Sequence, residues 1–153
     1  MSKSRIYIEG ARISHGRLSL NENERRYLLK VLRLGKDDKV EVSDGEGNVW
    51  AARLEKEGGA YELAFIERII DEGASPENPL ILIQCIPKGE RLKQVLHQAT
   101  ELDVDEIWLA ISERTIARPD EKKSENKLAR YTEIVKQASA LAGRARLPVL
   151  RGP

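Results

Sequence analysis

The stretch DEGASPENP, residues 71–79, constrains this chain more than any other. Proline, glycine and carboxylates crowd it, and it has no apolar periodicity to carry a helix or a strand. The hydrophobic pattern changes across it. The chain therefore reads as two units, residues 1–72 and 80–153, with a linker at 73–79.

Before the linker the pattern is that of a half-buried sheet. RIYIEGARI reads as a first strand with a turn at Glu9-Gly10. Asn21 can cap a short helix, with Glu24 reaching back in a capping box. Leu28, Leu29, Val31 and Leu32 are expected to form its apolar face, and Gly35 its end. Three strands follow, Lys39–Ser43, Asn48–Glu55 and Tyr61–Ile70. DGEGN and KEGGA join them, both Gly-rich hairpin connections. The first unit is expected to be a small β-barrel with one helix.

After the linker, LILIQCI suits a strand buried on both faces, with Cys85 a buried core thiol. Leu92, Val95, Leu96, Ala99 and Leu102 then recur on one helical face, EIWLAI is a second strand, and a helix runs from about Ser124 to Ala142. The order β-α-β-α predicts parallel strands with crossover helices. Two such strands do not complete a parallel sheet, and LPVL (residues 147–150) begins a third. The second unit is expected to be incomplete, the N-terminal portion of a longer protein.

The longest apolar run, Leu80–Ile83, is far short of the roughly 20 residues that cross a bilayer, and the start has no signal-peptide core. One cysteine has no disulfide partner, so a cytoplasmic protein is expected. His15 and His97 have no ligand at metal spacing, no P-loop or GxGxxG occurs, and no metal site is expected. Charge is unevenly placed although the net is only +1. Residues 1–33 hold eight Lys/Arg against three Asp/Glu, residues 34–135 fourteen against twenty-two, and residues 136–153 four against none. Basic ends around an acidic middle are compatible with a phosphate-binding surface.

The candidate contacts follow that distribution. Arg25, Arg26, Lys30 and Arg33 lie on the first helix with Tyr27 among them, and Arg5 is expected beside them on one basic face. Lys88 and Arg91 flank Gly89 where strand gives way to helix, a place that attracts anions. Ser112, Glu113, Arg114 and Thr115 fall on the same sheet edge, whereas Arg144 and Arg146 sit in an αβ turn at the opposite edge. Each group has an ordinary alternative as solvated side chains or local ion pairs.

RIYI, KVLRLGKDDKVEVSDGEG, PKGERLKQVLHQATELDV, ISERT and GRARLP follow one another in an order and spacing that resembles the RsmE-type ribosomal RNA methyltransferases. The resemblance covers essentially the whole chain. It implies a PUA-like β-barrel, then an α/β domain of the SPOUT class whose later part is tied in a trefoil knot. It also implies methylation of N3 of a uridine in 16S ribosomal RNA, with S-adenosylmethionine as the donor, bound in knot segments beyond residue 153. On that basis Arg5, Arg25, Arg26, Lys30, Arg33, Lys88, Arg91, Arg114, Arg144 and Arg146 are candidate RNA contacts. No catalytic residue is assigned. The chain alone is expected to bind no donor, to transfer no methyl group and to self-associate, the full protein being a homodimer.

The sequence departs from the family at His97-Gln98, where Gln-Lys is usual, and at Asp103, where glycine is usual. Ala140-Leu141 also replace a common Glu-Gln. Two other readings compete. A non-catalytic RNA-binding adaptor would end naturally at residue 153, and a small metabolic α/β enzyme would show no salt-dependent RNA affinity.

Overall fold

The computed structural model describes residues 5–8, 16–72, 76–113 and 121–152, with side chains from residue 126 onward in the last span. The chain divides into two compact units, Met1–Ala74 and Ser75–Pro153.

The first unit holds β1 (Arg5–Tyr7), β2 (Arg17–Ser19), α1 (Glu22–Arg26), a π-helical turn (Tyr27–Val31), β3 (Lys39–Ser43), β4 (Asn48–Glu57) and β5 (Ala60–Asp71). They form one five-stranded sheet in the order β1-β3-β4-β5-β2. β1 runs parallel to β3 and the remaining pairs are antiparallel. The β4–β5 hairpin turns on Gly58 (φ +56°) and Gly59 (φ +91°). Two successive left-handed residues give the turn whose twist matches the flanking strands, so KEGGA closes as read.

Alternation along the strands sends Ile6, Leu18, Val40, Val42, Leu54 and Leu63 to one buried cluster, which Leu28 joins. Ile6 and Leu18 belong to the two edge strands, so the sheet curls until both edges reach the same core. The β4–β5 register shifts at Val49/Trp50 and at Ala51/Ala52, leaving Ile69 and Ile66 as the extra residues on β5. Bulges of this kind bend a strand and tighten its twist. The expected β-rich unit is thus present, as a curled mixed sheet. Residues 9–15, including the turn read at Glu9-Gly10, lie outside the described residues.

The second unit holds β6 (Ile81–Cys85), α2 (Arg91–Glu101), β7 (Glu106–Ala110), α3 (Glu121–Ala142) and β8 (Val149–Arg151). The three strands are parallel, in the order β6-β7-β8. Strands laid down in sequential order by right-handed crossovers put both helices on the same face. Leu92, Leu96, Ala99, Ile134 and Val135 accordingly pack with Ile107 and Leu109, and Leu82 and Leu150 join them.

That arrangement corrects two expectations. LILIQCI is covered on one face only: Ile83 is 65% exposed, Ile81 39% and Val149 47%. Cys85 points to the same open face and is exposed rather than a core thiol. An apolar run shows that a strand can be covered twice, but not which layers are present to cover it.

Candidate nucleic-acid interface

The first helix begins as the sequence implies. The Asn21 side chain accepts from the Glu24 amide at 2.9 Å, and the Glu24 carboxylate accepts from the Asn21 amide at 2.9 Å. Two of the amides left unsatisfied at a helix start are thereby bonded. The helix then widens. The Leu32 amide donates to the Tyr27 carbonyl and the Leu34 amide to the Leu28 carbonyl, both at 2.9 Å. The second bond spans six residues, one more than an ordinary Schellman closure.

The extra residue rotates the side chains. Leu28 is fully buried and Leu29 and Leu32 pack against the core, but Val31 is 62% exposed and Tyr27 40%. Val31 therefore does not belong to the apolar face assigned to it. Nor does Gly35 make the left-handed end. That conformation falls on Arg33, at φ +56°, while the Gly35 amide is bonded to the Asp38 carboxylate.

Three of the cations read from the sequence, Arg25, Arg26 and Lys30, stand on this element, and Arg33 follows two residues beyond it. Arg25 is paired with Glu22 at 3.2 Å on the surface. Arg26, Lys30 and Arg33 are exposed and form no ion pair with a described residue. The two carboxylates of the element are engaged at its start, Glu24 in the cap and Glu22 with Arg25. Arg5 does not join this face as an exposed cation. It is the register partner of Glu41 across β1 and β3, bonded to it at 2.7 Å, with side-chain exposures of 7% and 15%. A buried guanidinium keeps its carboxylate because leaving either charge alone would be costly.

The second unit uses its arginines differently. Lys88 and Arg91 are exposed about Gly89, which is left-handed at φ +77°, and Arg130 reaches Glu90 at 3.5 Å across the same turn. Ser112 and Glu113 close the described part of the adjacent loop, whereas Arg114 and Thr115 lie outside the described residues. The structure removes Arg144 from the exposed candidates: its side chain is only 8% exposed. One guanidinium nitrogen donates to the carbonyls of Thr100 at 3.1 Å and Val104 at 2.9 Å. The Nε donates to the Arg146 carbonyl at 3.2 Å and lies 3.3 Å from Asp103. Arg144 therefore caps α2, where the helix dipole favours a cation. Arg146 is half-buried in the same turn.

A cluster missed by the sequence reading lies on the open sheet face. The Trp108 indole donates to Glu106 at 2.7 Å, Arg151 donates to the same carboxylate at 3.0 Å, and the Arg151 guanidinium lies over the Trp108 ring. The indole hydrogen bond first, and Arg151 second, hold the Glu106 carboxyl below its ordinary value. Glu106 and Trp108 could have been placed on one face by alternation. Arg151 could not, because its register with Trp108 needs the third strand. Among the described residues no three His, Cys, Asp or Glu converge to hold a metal ion, and no helix is long and apolar enough to cross a membrane.

Comparison with known proteins was decisive for the second unit. Residues 74–153 match the RNA methyltransferase domain family. The chain belongs to this family. Residues 20–61 match the RNA methyltransferase PUA domain, a span that contains α1, the π-turn and their cations. A ribosomal RNA small subunit methyltransferase E of Synechocystis is 31% identical over 97% of this chain and 47% of its own length. The crystal structure of the Neisseria gonorrhoeae methyltransferase E bound to S-adenosyl methionine superimposes with a TM-score of 0.79 at 31% identity, over 98% of this chain and 62% of that one. A Legionella pneumophila protein in complex with the cofactor SAM gives 0.85 at 26% identity, over 100% and 63%. The chain thus spans about half the length of the curated relatives it matches. Family, PUA-like first unit and part of a methyltransferase α/β domain all agree with the resemblance read from the sequence.

Proposed function

We propose that this chain serves a ribosomal RNA methyltransferase that transfers a methyl group from S-adenosylmethionine to N3 of a uridine in 16S RNA. The family match over residues 74–153 carries the reading, and the unpaired cations within the PUA match support it. In this reading Arg26, Lys30 and Arg33 hold RNA phosphates, with Arg25 at the margin, and orientation of the bound uridine supplies much of the rate. Lys88 and Arg91, at the carboxyl ends of the strands, are secondary contacts.

The described residues do not fit the methyl donor by themselves. A ligand of that size has about 70–90% of its surface buried in a typical site. The strand ends here carry Lys88, Gly89, Ile111 and Glu113, all exposed. No donor binding by the 153-residue chain is expected, and no residue is assigned a catalytic role. The exposed Ile81, Ile83, Trp108 and Val149 face supports self-association, so dimers or larger species are expected. A cytoplasmic location accompanies the reading.

The test is binding of small-subunit RNA as a function of salt. Log K should fall with log salt by about 0.9 per duplex phosphate neutralised, or about 0.7 for single strands. The combined Arg26→Glu and Lys30→Glu variant should bind weakly and with a shallower slope. A flat salt response in the parent, or unchanged binding in the variant, would count against the interface.

A further inference from the structure

We propose that Tyr27 and Val31 form a stacking platform for an unpaired base, so that this face selects single-stranded rather than duplex RNA; the inference rests on the RNA reading above. Residues four apart share one side of a helical turn. Tyr27 and Val31 therefore make one row, and Arg26 and Lys30 make the neighbouring row. All four are exposed, with Tyr27 at 40% and Val31 at 62%. The π-turn produces this arrangement, because its extra residue turns Val31 out of the core while Leu28 stays fully buried.

Arg33 closes the row in a left-handed conformation that a side chain adopts at a cost. Such outliers collect at ligand sites, as π-turns do. An aromatic ring and a branched aliphatic side chain beside three cations reproduce the parts of a single-strand site: phosphates meet the charges, and a base lies on the ring. In an A-form duplex the bases are stacked on one another and their π-faces are unavailable. Val31 and Tyr27 would then lie against a polar backbone and gain nothing.

The experiment compares a short single-stranded RNA carrying 2-aminopurine with the same sequence annealed in a duplex, using the whole 153-residue chain. The parent should bind the single strand more tightly and quench its fluorescence. Tyr27→Ala should weaken single-strand binding by about 5- to 150-fold and abolish the quench, with the salt slope unchanged. Tyr27→Trp should restore both. Circular dichroism confirms folding, and Val31→Asp provides a second disruption at a still more exposed position. Salt-dependent binding that Tyr27→Ala and Val31→Asp leave intact, or a duplex bound as tightly as the single strand, would overturn the platform while leaving the RNA interface standing. Failure of the parent to bind either RNA would overturn the interface and the platform together.

Discussion

Two helix ends in this molecule solve one steric problem in opposite ways. Both α2 and the π-turn finish on a residue other than glycine with positive φ, Asp103 at +67° and Arg33 at +56°. At Asp103 the surroundings answer. The Val104 amide bonds the Ala99 carbonyl at 3.1 Å and the Asp103 amide the Thr100 carbonyl at 3.3 Å in a regular Schellman closure, and Arg144 donates to the Thr100 and Val104 carbonyls and lies against Asp103 itself. Arg33 has no ion-pair partner among the described residues and stands in solvent. A third end, after α3, uses Gly143 at φ +72° and needs no such help. The difference separates an arginine that holds the fold from one available to a ligand.

The largest expected effect is at the supported end. Arg144→Ala should lower the unfolding free energy by about 2–4 kcal/mol, because the carbonyls of two buried residues, Thr100 and Val104, lose a charged donor. Urea denaturation followed by circular dichroism measures it. Arg144→Lys should recover only part, since a single ammonium cannot reproduce the planar fork. A loss below about 0.5 kcal/mol would erase the contrast between the two ends.

At the unsupported end the sign reverses. Arg33→Gly relieves the left-handed side chain and should raise stability by about 1 kcal/mol, while lowering the RNA salt slope by about 0.7–0.9. The two readouts moving in opposite directions is the signature sought. A variant that is less stable would show Arg33 to be a structural residue after all.

Asp103→Gly should have a smaller effect than either. The steric gain of about 1 kcal/mol is offset by losing an ion pair whose carboxylate is 84% exposed, worth about 0.2–1 kcal/mol. A net stabilisation of a few tenths is expected in the same urea experiment. The left-handed backbone at this position also gives a physical reason for the glycine that the resemblance implies there.

Local chemistry was legible in the sequence and pairing was not. Asn21 with Glu24, the Gly58-Gly59 turn and the β-α-β-α order each depend on a few neighbouring residues, and each is present. Arg5, Arg144 and Arg151 look like any surface arginine in the chain. Their roles depend on Glu41, Thr100 and Glu106, which lie between 36 and 45 positions away. The π-turn escaped for another reason. Leu28, Leu29, Val31 and Leu32 fit an ordinary apolar stripe, and only the hydrogen bonds show that one residue too many occupies the turn.

Arg151 extends the comparison to an arginine whose partner can be titrated. Arg144 is bonded chiefly to carbonyls, which do not change charge, whereas Arg151 and the Trp108 indole both donate to the Glu106 carboxylate. That carboxyl is held below its ordinary value near 4.5. A depressed carboxyl contributes its stabilisation fully above the ordinary value and loses it as pH falls through the lowered one. The fluorescence of Trp108, isolated by Trp50→Phe, should therefore stay constant down to about the ordinary carboxylate range and change only below it. Glu106→Gln should remove the step. A midpoint at or above the ordinary value would mean that indole and guanidinium do not favour the charged form. The cluster lies on the exposed side of the sheet, so salt should screen the Arg151 contribution and move the midpoint upward, toward the ordinary value. The bonds of Arg144 to the Thr100 and Val104 carbonyls should show no comparable step in acid.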